Sequence, residues 1–172
     1  MDIRLFITDI DGVWTDGSMY YDQTGNEWKK FNTSDSAGVL FLKLLNIPTA
    51  IITGEDTAIV KRRADKLGIS YLYMGIQDKV KIAHELCKKL EIQLNQVAYI
   101  GDDINDLLLL QEVGLSAAPA NAPVYIQREV DWQIPVKGGD GAFRAFVELF
   151  LEKEQLLDKA LQLYLQKRSF KQ

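Results

Sequence analysis

Short apolar runs alternate with stretches of helical periodicity along most of this chain. Runs at 3–8, 49–53, 71–74 and 97–100 are rich in Ile, Leu, Val and aromatic residues and read as buried strands, with weaker ones at 115–118 and 132–134. Residues 36–45, 56–67, 78–90, 103–113 and 141–151 read as helices, and 152–166 continues the last of them. On 78–90 the apolar residues Val80, Ala83, Leu86, Cys87 and Leu90 share one face. Asp35 suits an N-cap of the first helix, and Gly68 and Gly114 suit the ends of the second and fourth. Strands alternating with helices predict an α/β fold, a doubly wound Rossmann-like parallel sheet covered on both faces. One segment breaks the rhythm. Residues 17–31 carry aromatics on both sides of an Asp-Gln-Thr-Gly-Asn turn, which predicts an inserted β-hairpin. It reads as a small flap, and its aromatic content suits a subunit contact.

Composition narrows this picture modestly. The 172 residues are enough for one domain with one core. A net charge of -4 argues against a nucleic-acid partner. No apolar run has the length of a membrane span, and the N-terminus lacks the pattern of a signal peptide, so neither membrane nor export is expected. Cys87, the sole cysteine, excludes an internal disulfide and fits the reducing cytoplasm. Cys87 and the single histidine, His84, lie on the same predicted helix and read as structural or surface residues.

The chemistry lies in the polar residues that end the strands. Asp9 and Asp11 follow the first apolar run, Thr53-Gly54 the second, Asp78-Lys79 the third, and Gly101-Asp102-Asp103-Ile104-Asn105-Asp106 the fourth. In a doubly wound sheet these positions share one rim, at the carboxyl ends of the strands. Each has an ordinary alternative: a helix cap for Asp56, Asp78 or Asp103, a strand end for Thr53, a solvated helix residue for Lys79. Four on one rim point instead to phosphoryl transfer. Several carboxylates together require a cation, and an all-oxygen donor set suits Mg²⁺. An aspartate can attack phosphorus, while a lysine, a hydroxyl and backbone N–H groups stabilise the equatorial oxygens. A second carboxyl group can protonate the leaving oxygen and then deprotonate water.

The order Asp9-x-Asp11-Gly-Val, Thr53-Gly54, Lys79 and Gly-Asp102-Asp103-x-x-Asp106 resembles the four motifs of the haloacid dehalogenase superfamily, over about residues 1–150. The resemblance implies Asp9 as nucleophile, Asp11 as general acid and base, and Thr53 and Lys79 as phosphoryl ligands. It implies Mg²⁺ held by Asp9, the Asp11 carbonyl and Asp102, with Asp103 and Asp106 in support. A phosphatase domain at 1–151 and a C-terminal helical tail at 152–172, with a basic, frayed end, are expected.

The hairpin after Asp16-Gly17, the stretch Phe31-Asn32-x-x-Asp35, and Gly138-Gly139-Asp140-Gly141-Ala142-Phe143-Arg144 are similar to the capless phosphatases of 2-keto-3-deoxy sugar acid phosphates. That group covers eight-carbon octulosonate and nine-carbon nononate substrates, and a related domain is fused to sialic-acid activating enzymes. It implies no cap domain and a homotetramer in which a neighbouring subunit completes the active site. Glu55 stands where the octulosonate members carry Arg, and Ser36-Ala37 where they carry Gly. Glu55, Arg63 and Lys66 resemble the nine-carbon enzymes as substrate-binding residues, with Gly54 beside them. The expected substrate is therefore a nine-carbon acid phosphate, with the octulosonate phosphate as alternative. Arg62, Arg63 and Lys66 could instead form an ordinary solvated helix face. Trp14 departs from the aliphatic residue usual at its position. Two remoter readings are a phospho-receiver domain, in which the lysine would come last, and a non-catalytic oligomerisation or regulatory domain.

Overall fold

The structure, a computed structural model, describes residues 1–169; the last three residues of the expected basic end lie outside it. Six strands form one parallel sheet: β1 (Leu5–Thr8), β4 (Thr49–Ile52), β5 (Tyr71–Tyr73), β6 (Val97–Ile100), β7 (Leu115–Pro119) and β8 (Trp132–Ile134), in the order β5-β4-β1-β6-β7-β8. The central strand β1 sets Thr8 beside Ile51 on one side and Ile100 on the other, so β1, β4 and β6 end level. The hairpin forms a separate antiparallel pair, β2 (Tyr20–Tyr21) and β3 (Glu27–Trp28), and a bridge between Thr15 and Phe31 closes its base. Among the described residues no cap domain interrupts the order of elements.

Strand alternation divides the core into two layers. Phe6, Ile51, Ala98 and Ile100 face α1 (Asp35–Leu44), α2 (Ala58–Leu67), α6 (Ala142–Lys153) and α7 (Leu157–Ser169). Leu5, Ile7, Ala50, Ile52, Val97 and Tyr99 face α3 (Lys79–Leu90), α4 (Leu107–Glu112) and α5 (Val124–Gln127). Buried Cys87 belongs to the second layer, as its place on the helical face predicts, and His84 lies exposed near Glu112. Phe6 packs edge-on against Phe150, with ring centroids 5.1 Å apart. Trp14 is fully buried, stacks on Phe143 at 4.9 Å and donates its indole N–H to Thr8 Oγ1 at 2.9 Å, so it is a packing residue behind the first motif.

Helix boundaries depart from the periodicity in several places. Asp35 is not the N-cap of α1; Ser34 holds that position, and Asp35 is the buried first residue of the helix. Its Oδ1 instead accepts the backbone N–H of Arg144 at 3.0 Å, so it caps α6, a different helix. The helix expected from 103 starts only at Leu107, because Asp106 turns its carboxylate back onto the preceding loop. The expected continuation across 151–152 breaks between α6 and α7. Gln155 takes φ +57°, its N–H reaches Glu152 O, and Leu156 N–H reaches Leu151 O at 2.7 Å, a Schellman ending formed without glycine. Ala160 on α7 is buried in the first layer.

Candidate active site

Because the sheet is parallel, the loops after β1, β4, β5 and β6 leave the same edge, and β5-β4-β1-β6 are consecutive neighbours. Asp9 continues β1 for one residue, its N–H donating to Ile100 O at 3.0 Å, and is buried. Lys79, the first residue of α3, brings its Nζ 3.1 Å from Asp9 Oδ1 and 2.5 Å from Asp106 Oδ1. Asp9, Asp102 and Asp106 each place a carboxylate oxygen within 4.8 Å of the others. Thr53 follows β4 and is buried, its N–H bound to Tyr73 O at 3.0 Å.

The carboxylates are electrostatically frustrated. Burial raises Asp9 to about 7, helped by the charge of Asp106 and opposed by Lys79. Burial, then Asp9 and Asp106, raise Asp102 to about 8. Burial opposes the charge on Lys79, but Asp9 and Asp106 outweigh it and hold its pKa above the usual value. Three ionised carboxylates around one ammonium would leave net negative charge, so without a cation the cluster retains protons. Asp9 Oδ1 has no hydrogen-bond partner, since Lys79 is near it but poorly aligned. This unsatisfied oxygen and the all-oxygen donor set fit a hard divalent cation.

Asp106 takes no part as a free ligand. Its Oδ1 accepts from Lys79 and from Tyr99 OH, and its Oδ2 accepts the N–H groups of Asp102 and Asp103 at 2.8 and 3.1 Å. It therefore holds both the lysine and the loop that carries Asp102. Burial keeps the Tyr99 phenol well above its ordinary pKa, which preserves it as a donor. Asp103 faces outward, its Oδ1 accepting from Ile104 N–H and from Tyr125 OH at 3.2 Å.

Glycines let the loops converge. Gly12 has φ +77°, and a Cβ there would lie 1.8 Å from Asp102 Oδ2. A Cβ at Gly138 would lie 1.8 Å from Gly12 O, while Asn121 donates to Gly12 O at 2.9 Å and accepts from Gly138 N–H at 2.6 Å. The Gly138-Gly139 stretch thus braces the first motif from beneath.

The residues expected to select the substrate do not gather at this cluster. Glu55, on the loop after Thr53-Gly54, and Lys66, on α2, are exposed. Arg63 turns inward: it donates to Asn32 O at 3.2 Å and Ser36 Oγ at 3.0 Å, with its guanidinium 6.0 Å from the centre of the Trp14 ring. Three contributors were not apparent in the chain: Tyr99, Asn121 and Lys29. Lys29 Nζ lies 2.7 Å from Asp11 Oδ1. Its signal was the pairing of Glu27 and Lys29 on one face of a hairpin whose other face carries Trp28.

Comparison with known proteins places this geometry. The family description "haloacid dehalogenase-like hydrolase" matches residues 45–146. The chain is 42% identical over 159 residues to 3-deoxy-D-manno-octulosonate 8-phosphate phosphatase of Yersinia pestis, covering 92% of this chain and 85% of that one. The crystal structure of the enzyme of that name from Moraxella catarrhalis, in complex with magnesium ion, phosphate ion and KDO, superposes with TM-score 0.91 at 38% identity, covering 95% and 94% of the two chains. The cobalt-bound deoxy-D-mannose-octulosonate 8-phosphate phosphatase of Haemophilus influenzae gives TM-score 0.87 at 36% identity, covering 95% and 97%. With its motifs converging on one rim of the sheet and this likeness along nearly its whole length, the chain belongs to the haloacid dehalogenase-like hydrolases, among their phosphatases.

Proposed function

We propose that this protein is a Mg²⁺-dependent phosphatase that hydrolyses 3-deoxy-D-manno-octulosonate 8-phosphate through an aspartyl-phosphate. The observation that carries the reaction is the cluster of buried Asp9 and Lys79 with half-buried Asp102, in which Asp9 Oδ1 has the Lys79 ion pair but no hydrogen bond. Asp9, Asp102 and the Asp11 carbonyl are the residues to hold the cation. Mg²⁺, when bound, screens the carboxylates and the phosphoryl oxygens from one another. Asp9 attacks phosphorus, Lys79 and Thr53 neutralise and orient the phosphoryl group, and Asp11 protonates the sugar oxygen as it leaves. Asp11 then takes a proton from the water that releases phosphate.

The eight-carbon substrate replaces the nine-carbon one expected from Glu55, Arg63 and Lys66. Similar relatives carry the octulosonate activity in their names, and Arg63 is already engaged with Asn32 and Ser36. The exposed hairpin residues Tyr20, Tyr21 and Trp28 support a homotetramer whose neighbouring subunit completes the site. A phosphatase domain with a short helical tail remains the working division of the chain.

Two measurements test this reading. Asp9→Asn is expected to lower kcat by at least about 10⁴-fold with the fold retained; wild-type turnover in that variant removes the nucleophile assignment. The octulosonate 8-phosphate is expected to exceed the nononate 9-phosphate in kcat/KM by about tenfold or more; the reverse order returns Glu55 and Lys66 to the substrate site. Light scattering checks the tetramer.

A further inference from the structure

Asp11 is held by an element that carries none of the four motifs. Lys29 directly follows β3, and its Nζ lies 2.7 Å from Asp11 Oδ1 and 3.3 Å from Glu27 Oε1. The Lys29 side chain has no exposed surface. Thr15 Oγ1 donates to the same Asp11 oxygen at 3.4 Å. The other oxygen, Oδ2, is buried and has no partner. Burying an ammonium beneath a small hairpin is costly unless carboxylates receive it. Glu27 shares that ammonium, so Lys29 meets Asp11 as a donor with its charge already compensated. A donor fixed on one oxygen also fixes the rotation of the carboxyl group.

We propose that Lys29 is a positioning residue for the reaction, pinning Asp11 Oδ1 so that Oδ2 is the oxygen that carries the proton. This rests on the assignment of Asp11 as acid and base. In the first half-reaction a bond forms between an Asp9 oxygen and phosphorus, and the bond from phosphorus to the sugar oxygen breaks. The proton on Asp11 Oδ2 passes to that departing oxygen. In the second half-reaction a water oxygen bonds to phosphorus as the Asp9–phosphorus bond breaks, and Oδ2 takes one proton of that water. The enzyme returns to its starting state with no further reactant. The hairpin thereby supplies a working part of the site besides any subunit contact.

The test compares leaving groups in the full-length, Mg²⁺-saturated enzyme. Octulosonate 8-phosphate departs as an alkoxide that needs a proton, whereas p-nitrophenolate departs without one. Lys29→Met is expected to lower kcat on the sugar phosphate by about 10²-fold with KM changed by less than about threefold. The first-turnover release of p-nitrophenolate is expected to slow by less than about threefold, followed by slow steady turnover as the aspartyl-phosphate persists. Lys29→Arg is expected to recover about tenfold of the loss. Equal slowing of both first turnovers, or no slowing of either, overturns the proposal, since a merely structural lysine does not distinguish leaving groups. Lys29→Gln carries the same comparison if the methionine variant does not fold. Asp11→Asn separates the two readings. If it shows no leaving-group dependence, the acid–base assignment fails; if it does and the Lys29 variants do not, the positioning role fails.

Discussion

Asp102 is raised to about 8, first by burial and then by its neighbours Asp9 and Asp106, so its charge opposes folding when no cation is bound. Asp102→Asn is therefore expected to raise the metal-free stability at neutral pH by about 1–3 kcal/mol while abolishing turnover. Denaturant unfolding with chelator present checks this, and a destabilised variant contradicts it. The residues proposed to do chemistry were legible because their types are hard to explain otherwise: carboxylates ending a buried strand, a lysine opening a helix. Tyr99 and Lys29 were not. A tyrosine in an apolar strand reads as core, and a lysine in a hairpin reads as solvated until the fold shows it buried against Asp11. Arg63 misled in the opposite direction, since a basic residue on an amphipathic helix carries no mark of facing inward to Asn32 and Trp14.

Elements follow the hydrophobic pattern closely at their centres and less closely at their ends. All six strands lie where the apolar runs place them, because a strand covered on both faces needs a near-continuous apolar run that local sequence alone supplies. Helix ends depend on partners distant in sequence. Asp35 sits beside α1 in sequence yet caps α6 in space, and only the packed fold reveals that. Burial raises Asp35 from 3.8 to about 6 despite the Arg144 N–H and the nearby Arg63. The folded protein therefore holds this proton more tightly than the unfolded chain. The stability it contributes is present at low pH and is lost as pH rises through about 6. Asp35→Asn does not titrate, so the stability difference should move in its favour by ~1–3 kcal/mol between about pH 4 and pH 6.5. Thermal melts of both proteins across that range measure it, and a flat difference rules it out. The turn at Gln155 was hidden for a simpler reason: the left-handed residue that ends α6 is a glutamine.

For the whole molecule, a cation held as proposed by Asp9 and Asp102 would be a ligand of the folded state alone, because the unfolded chain cannot hold both carboxylates within reach of one ion. Binding at 100 times its Kd adds about 2.7 kcal/mol. Scanning calorimetry should then show Tm rising by about 5–10 °C with Mg²⁺ and falling back with chelator. Asp102→Asn should lose that response; an unchanged Tm in the parent protein counts against a bound cation. No helix of the described residues is long and apolar enough to cross a membrane, in keeping with the apolar runs.

The placement of β1 between β4 and β6 also dictates when the site can exist. Thr8 is paired with Ile51 and with Ile100, partners far along the chain. A nascent polypeptide that has not yet emerged past β6 can build helices and the β1–β4 pair, but it has no acidic cluster. Such long-range parallel pairing is intrinsically slow. Catalytic activity should therefore appear only when the central strands have all docked, which makes the first turnover of newly made protein a timer for global folding.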